Sequence, residues 1–298
     1  MQILTTTALS KNFGKIKALD NLSLKVNEGQ VMGILGPNGS GKTTFLATVL
    51  GILHASSGSF EWFEGMDPVK ARLKIGTLLE TPNFYPFLNA YDNLKIIQHI
   101  KQIKSEPLDD HLKLVGLYER RMSKFRTYSL GMKQRLAIAA TLIGQPEVLI
   151  FDEPTNGLDP MGIVEVRDTL KEISSTGKTI IMASHILHEV EKICTDVAIL
   201  RKGKLLGSGK TGQILSDNMV IEIGSDQSEA LRSAIKGITE LNITGEIKGI
   251  LQLAAEESYD VTKLSQQLSE KGIYLNHLVA RKKKLEEEFI SIVSENNG

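Results

Sequence analysis

"GILGPNGSGKTTFL", residues Gly33 to Leu46, contains the pattern G-x-x-x-x-G-K-[ST] at Gly36, Gly41, Lys42 and Thr43. The run follows the apolar stretch "VMGIL" and opens a segment, Lys42 to Gly51, that reads as a helix, which is the context a phosphate-binding loop requires. Glycines let the backbone curl so that several amide N–H groups face one point, and the helix N-terminus adds partial positive charge there. Lys42 supplies a full charge, and Thr43 is placed to put its hydroxyl on Mg2+, with Thr44 the second candidate. The expected nucleotide contacts are therefore Gly36, Asn38, Gly39, Ser40, Gly41, Lys42, Thr43 and Thr44.

A second stretch supplies the matching half. In "EVLIFDEPTNGLDP" (Glu147 to Pro160), four apolar residues deliver Asp152 and Glu153 to the carboxyl end of a buried strand, where ligands bind in open α/β sheets. Two adjacent carboxylates there are costly without a cation, so Asp152 is expected to hold Mg2+ and Glu153 to act as general base toward water, a role worth about 10²–10⁴-fold in rate. The next strand, "TIIMASH", ends in Ser184 and His185, which places His185 as a contact to the γ-phosphate or the water.

Around these motifs the pattern is α/β. Short strands separated by glycine turns ("LSLKV", "VMGILG", "GSFEWF") form a β-rich edge, a helical insert is expected over about 88–144, and apolar strands then alternate with helices as in a mostly parallel sheet. The fold expected is a P-loop NTPase with a mostly parallel central sheet, an antiparallel β edge, a helical insert and a small α+β C-terminal unit. The boundary falls near Leu215, giving a nucleotide-binding domain over 1–215 and an accessory unit over 216–298. The run "ARKKKLEEEF" (Ala280 to Phe289) reads as a solvated terminal helix with favourable charge pairs.

Bulk properties exclude several classes. The 35 basic residues balance 35 acidic ones, so no global field draws the chain to nucleic acid or anionic lipid. A single cysteine, Cys194, rules out an intrachain disulfide and fits a reducing compartment. No segment approaches the length needed to cross a bilayer, so a cytoplasmic chain is expected.

Taken together, the motifs resemble the nucleotide-binding subunit of ABC transporters over about 1–215. The resemblance identifies "YSLGM" (Tyr128 to Met132) with that family's signature loop, normally Leu-Ser-Gly-Gly-Gln, and implies that Ser129 and Gly131 contact the γ-phosphate of an ATP held by a second subunit. Leu130 and Met132 depart from the usual glycine and glutamine. The resemblance further implies that Phe13 in "KNFG" stacks on adenine, with a core phenylalanine as the competing reading, and that Asp159 in "GLDP" lies in the loop crossing the dimer interface.

In "IGTLLETPNFYPFLNAYDNL" (Ile75 to Leu94) the family usually has a glutamine where this chain has Glu80, a carboxylate that accepts from Mg2+-bound water but cannot donate as an amide does. Glutamate there, followed by "TPNFYP", resembles the exporters that protect bacteria from lantibiotics and bacitracin-like peptides. Phe84, Tyr85 and Phe87 then help line a groove for a helix of the membrane subunit, unless they pack on the chain's own helical insert.

The resemblance implies an ATPase using ATP and Mg2+, working with a separate transmembrane permease and a second nucleotide-binding subunit, a homodimer or a heterodimer, at the inner face of the membrane. Two other readings are an exporter of another drug or lipid and a non-transport ABC ATPase acting on ribosome or DNA. The latter usually carries two nucleotide domains or a long coiled-coil insert, and a small-molecule kinase lacks the serine-glycine turn, Glu153 and His185 in this order.

Overall fold

The runs Val31–Leu35, Val148–Asp152 and Thr179–Ser184 are short, rich in Val, Ile, Leu and Met, and end in glycine or polar turns. Such runs form strands covered on both faces. In the computed structural model, which describes residues 1–79, 83–214, 218–256 and 258–282, the chain divides into two units, Met1–Thr211 and Gly212–Gly298.

The first unit begins with strands β1 (Gln2–Phe13), β2 (Ile16–Asn27) and β3 (Val31–Leu35), helix α1 (Lys42–Val49), strand β4 (Ser57–Trp62), helix α2 (Pro68–Leu73) and strand β5 (Ile75–Leu78). Helices α3 (Ala90–Ile100), α4 (Leu108–Leu114) and α5 (Leu130–Leu142) make the insert. After it come β6 (Val148–Asp152), α6 (Pro160–Ser175), β7 (Thr179–Ser184), α7 (Leu187–Ile193), β8 (Asp196–Arg201) and β9 (Lys204–Lys210). A single turn, α8 (Thr211–Ile214), leads into the second unit.

Among the described residues the central sheet has the order β5-β6-β7-β3-β8-β9, parallel throughout except for β9, which pairs antiparallel with β8. A second, antiparallel sheet runs β2-β1-β4. Leu4, Leu9, Leu22 and Val26 from that sheet share one core with Phe45, Leu46 and Val49 of α1 and with Ile34 and Ala183 of the central sheet. Helix α1 is thus buried along most of its length, from Phe45 to Val49, as a helix gripped between two sheets must be. The Trp62 indole N–H donates to the Val49 carbonyl at 2.7 Å and ties β4 to the end of this helix.

This packing has a functional consequence. The loop between β3 and α1, the ends of β6 and β7 and the β8–β9 turn are delivered by elements that bury their apolar faces in a common core, so the site is held by packed strands and a packed helix.

The second unit follows the order β10 (Asn218–Gly224), α9 (Ser228–Lys236), β11 (Asn242–Ile247), β12 (Ile250–Glu256), α10 (Val261–Glu270), β13 (His277–Lys282), with an antiparallel sheet ordered β11-β12-β10-β13. Leu231 and Ile235 of α9 and Leu264 and Leu268 of α10 pack with Ile221, Ile223, Leu251 and Leu253, so this unit has its own core. The terminal helix expected from Ala280 does not begin there. Ala280, Arg281 and Lys282 pair with Ile221, Val220 and Met219 as the last residues of β13, because this edge of the sheet offers a ladder to pair with; residues 283–289 of the expected helix lie outside the described residues.

Candidate functional site

The loop from Gly36 to Gly41 is shaped by what its glycines exclude. A Cβ at Gly36 would stand 2.3 Å from the Leu200 carbonyl oxygen and 2.4 Å from Ser40 Oγ, and one at Gly41, whose φ is +109°, would stand 2.5 Å from the Ala18 carbonyl oxygen. Only glycine fits either position. Gly41 is the N-cap of α1 and no side chain bonds the first amides of that helix, which leaves them to be satisfied by an anion. Ser40 is 2% exposed, and its hydroxyl has no hydrogen-bond partner among the described residues. A cradle with no room for a Cβ, uncapped amides and an orphaned buried hydroxyl together fit a phosphate chain.

Lys42 is buried at the floor of the loop, where its ammonium donates to the carbonyl of Gly36 at 2.8 Å and of Pro37 at 3.3 Å. It also lies 3.2 Å from Glu153 Oε1, while Glu153 Oε2 accepts from His185 Nδ1 at 2.8 Å. A line of three side chains thus joins three elements: Lys42 from α1, Glu153 from the end of β6 and His185 from the end of β7. Glu153 turns back into this line because its backbone is left-handed, with φ 49°, a strained setting for a non-glycine residue. Its amide still donates to the Ala183 carbonyl at 3.0 Å, so the strand pairing continues through the strained residue.

A cavity of about 420 Å³ opens on this line. Asn38, Gly39, Gly41, Lys42, Thr43, Thr44 and Glu153 line it, joined by Ile16, Lys17 and Ala18 from β2 and by Lys202 from the β8–β9 turn. The last four were not singled out in the sequence, because they reach the cavity only through tertiary packing and no local motif marks them. Asp152, the last residue of β6, is 9% exposed, and Thr43 is exposed at the start of α1. One hydroxyl and one carboxylate suit a hard divalent cation whose remaining oxygen ligands come from phosphate and water.

The other expected residues lie apart from this cavity. Phe13 is 48% exposed at the end of β1, with the Lys11 ammonium 5.0 Å from its ring centroid, so it is not a core residue. Ser129 is the N-cap of α5, its hydroxyl accepting from the Met132 amide at 3.2 Å, and is exposed. Gly131 lies against Gly162, since a Cβ on it would be 3.6 Å from that residue's Cα. Asp159 is the N-cap of α6 and accepts from the Gly162 amide at 2.8 Å. The starts of α5 and α6 therefore sit side by side, bound further by Arg135 and Glu165 at 3.2 Å. Glu80 lies outside the described residues.

The aromatic loop divides. Phe84 packs edge-on against Phe125, ring centroids 5.2 Å apart, and lines a second groove of about 430 Å³ with Ile75, Leu78, Ile97, Lys101 and Ala140. Tyr85 and Phe87 are 61% and 72% exposed. Buried Asn93 fixes this loop by accepting from the Tyr85 amide at 2.8 Å and donating to the Tyr85 carbonyl at 3.2 Å. Burial holds Lys101 below the usual lysine range, against the opposing pull of Glu106.

Residues 19–156 match the ABC transporter family model. The chain is 36% identical to the ABC transporter ATP-binding protein YhcH of Bacillus subtilis (strain 168) over 98% of its own length and 96% of that protein's. It is 43% identical to the bacitracin transport ATP-binding protein BcrA of Bacillus licheniformis over 68% of each chain, and 38% identical to the lantibiotic transport ATP-binding protein SrtF of Streptococcus pyogenes over 72% of this chain and 96% of that one. Among solved structures, cbiO1 from Clostridium perfringens, part of an ABC transporter complex, superposes with a TM-score of 0.65 at 29% identity over 78% of this chain and 94% of its own. The dimeric cassette MJ0796 bound to ADP and Pi superposes with a TM-score of 0.62 at 25% identity over 70% of this chain and 99% of its own. The fold and the cleft define an ATP-hydrolysing cassette. The chain belongs to the ATP-binding subunits of ABC transporters. Among the described residues no helix is long and apolar enough to cross a membrane.

Proposed function

We propose that this chain powers the export of an antimicrobial peptide of the lantibiotic or bacitracin class through a separate membrane permease, from the inner face of the membrane. The observation that carries the catalytic part is the line Lys42–Glu153–His185 along the edge of a cavity built on the phosphate loop. The peptide class is supported by the names of BcrA and SrtF among the relatives. An exporter of another drug or lipid is the alternative.

In this reading the loop amides, the Ser40 hydroxyl and Lys42 bind the β- and γ-phosphates, and Phe13 offers its exposed ring to adenine. Thr43 and Asp152 would hold Mg2+, Glu80 is the residue expected to accept from a water bound to it, and the cation would offset charge on the phosphates. Glu153 takes a proton from the attacking water, while His185 Nδ1 holds the carboxylate in place by donating to Oε2. For Lys42 to reach a phosphate it must exchange Glu153 for it, which releases Glu153 Oε1 toward water.

Ser129 is exposed at the start of α5, Gly131 lies beside Gly162, and Asp159 caps the neighbouring helix. We assign this paired helix start to a second copy, whose signature turn closes on the nucleotide of the first. The groove beside Phe84 takes a helix of the permease, Tyr85 and Phe87 extending its rim. Residues 216–298 form an accessory unit outside the catalytic reaction.

The test is the solution mass of Glu153→Gln with and without Mg-ATP, since removing the base traps any nucleotide sandwich. The expected result is a mass that doubles only with ATP and is restored to the monomer by adding Ser129→Arg. A chain that binds ATP and stays monomeric in Glu153→Gln overturns the homodimeric reading.

A further inference from the structure

The cleft is lined by three lysines and one carboxylate. Two of the lysines are engaged: Lys42 by Glu153 and two carbonyls, and Lys17 by Asp20 at 3.6 Å. Lys202 is exposed and, among the described residues, has no carboxylate at salt-bridge distance. It stands in the two-residue turn between β8 and β9, where it and Gly203 have φ of 47° and 80°.

That turn is bolted to the phosphate loop. The Gly203 amide donates to the Ser40 carbonyl at 2.9 Å, and the Gly203 carbonyl accepts from the Asp20 amide at 2.8 Å. A Cβ on Gly203 would lie 2.7 Å from the Ala18 carbonyl oxygen, and one on Gly41 would lie 3.6 Å from Gly203 Cα. The Cα of Lys202 is therefore fixed relative to Ser40, Gly41 and Ala18, and its cation lines the same cavity as they do. A lysine held by its backbone at an anion site, with no partner of its own, loses less freedom on binding than one on a mobile loop.

We propose that Lys202 is a nucleotide-binding residue of this chain, contacting the α/β-phosphate part of the bound nucleotide from the turn beside the phosphate loop and setting affinity for ATP and ADP alike. The inference rests on the reading of this cleft as the ATP site. The choice of phosphates follows from position: the turn meets the cleft at the Ala18–Gly41 corner, whereas the hydrolytic pair Glu153 and His185 is tied through Lys42 to Gly36 and Pro37.

The experiment is a titration of the full chain with ATP, ADP and AMP by calorimetry at two salt concentrations. Lys202→Asn is the informative variant, because asparagine tolerates the left-handed backbone while removing both the charge and the reach of the side chain. ATP and ADP both weaken by about five- to tenfold, the loss shrinking at high salt, and Lys202→Arg restores most of the affinity. In steady state the effect falls on KM and not on kcat. Lys204→Gln, which alters the neighbouring lysine paired with Asp20 at 3.7 Å and absent from the cavity wall, stays within twofold of wild type. ATP and ADP affinities of Lys202→Asn within twofold of wild type overturn the proposal, and so does a loss confined to ATP, which would put the lysine on the γ-phosphate. Failure of the underlying reading looks different: the wild-type chain then binds no nucleotide, or Lys42→Ala binds as well as wild type.

Discussion

Replacing Gly203 by alanine probes how firmly the β8–β9 turn holds the phosphate loop. Two costs follow from the geometry. An alanine at φ 80° sits in left-handed backbone, which costs about 1–2 kcal/mol. Its Cβ would also approach the Ala18 carbonyl oxygen at 2.7 Å, the Ala18 carbonyl carbon at 2.9 Å and Leu19 Cα at 3.1 Å. All three are backbone atoms, so no side chain can swing aside, and overpacking of this kind adds about 1–3 kcal/mol. Together the costs come to about 2–5 kcal/mol, which for a unit of this size lowers Tm by roughly 4–20 °C. Relief by shifting the turn would strain the Gly203 to Ser40 hydrogen bond, so ATP affinity falls as well. The assay is thermal unfolding with and without ATP. Gly207→Ala is the control, because nothing lies within 4 Å of a Cβ there. A Gly203→Ala chain melting within 2 °C of wild type would refute the claim that this turn is clamped.

Other outcomes follow from the same geometry. Glu153→Gln lowers ATP turnover by about 10²–10⁴-fold in a single-turnover assay while ATP binding persists or tightens, because a negative charge beside the phosphates is removed; wild-type turnover would remove Glu153 from the base role. Phe13→Ala weakens ATP by about fivefold or more, stacking being worth about 1–3 kcal/mol, and weakens inorganic triphosphate not at all; equal effects on the two ligands would exclude adenine stacking. Glu80→Gln keeps ATP binding but changes peptide resistance or transport in cells carrying the permease, and unchanged resistance and ATPase would remove Glu80 from coupling. Burial pushes the Cys194 thiol above its ordinary range, with Asp196 adding to the shift. Between the ordinary thiol pKa and the raised one the folded chain binds the extra proton, so this group's contribution to stability falls as pH rises above about 8.5. Denaturant titrations of wild type and Cys194→Ala should diverge in slope against pH there and run parallel below it.

Most of the catalytic line was legible because Lys42 closes a glycine motif and Glu153 and His185 stand at the ends of short apolar runs. Val148 to Phe151 predicts a buried strand by composition alone, and a strand end is where Asp152 and Glu153 must emerge. What the motifs could not give was the left-handed backbone at Glu153 or the pairing of its two oxygens with Lys42 and His185, which depend on the β6–β7–β3 order. Strand β1 was hard to read since "TTTALSKN" alternates poorly and its ladder with β2 has several register shifts, with Ala8 at φ 46°. Strands β9 and β11, "KLLGSGK" and "NITGEI", are edge strands with exposed polar residues and glycines, so they carry little apolar signal. At the C-terminus the charged run after Ala280 suggested a helix; pairing with β10 decided its first three residues instead, tertiary partners overriding local pattern.

The strain at Glu153 and the engagement of Lys42 point to one economy of design. Lys42 is 5% exposed at its side chain and Glu153 19%, so an unpaired charge on either would be expensive, and the pair shields both. A triphosphate offers Lys42 a more highly charged partner than a carboxylate, so the exchange is driven by charge and needs no backbone movement. Glu153 is then left facing the cavity with His185 still on Oε2, in the backbone conformation it already holds. The cost of that conformation is met by the folding of β6 and β7, through the Glu153 amide on the Ala183 carbonyl, and not by nucleotide binding. It follows that substitutions which relax β6 or β7, such as Ala183→Gly, should depress kcat more than ATP affinity, whereas those in the phosphate loop should do the reverse. An Ala183→Gly chain that lost ATP affinity and kept its turnover would show that the strain at Glu153 is supported by nucleotide rather than by the sheet.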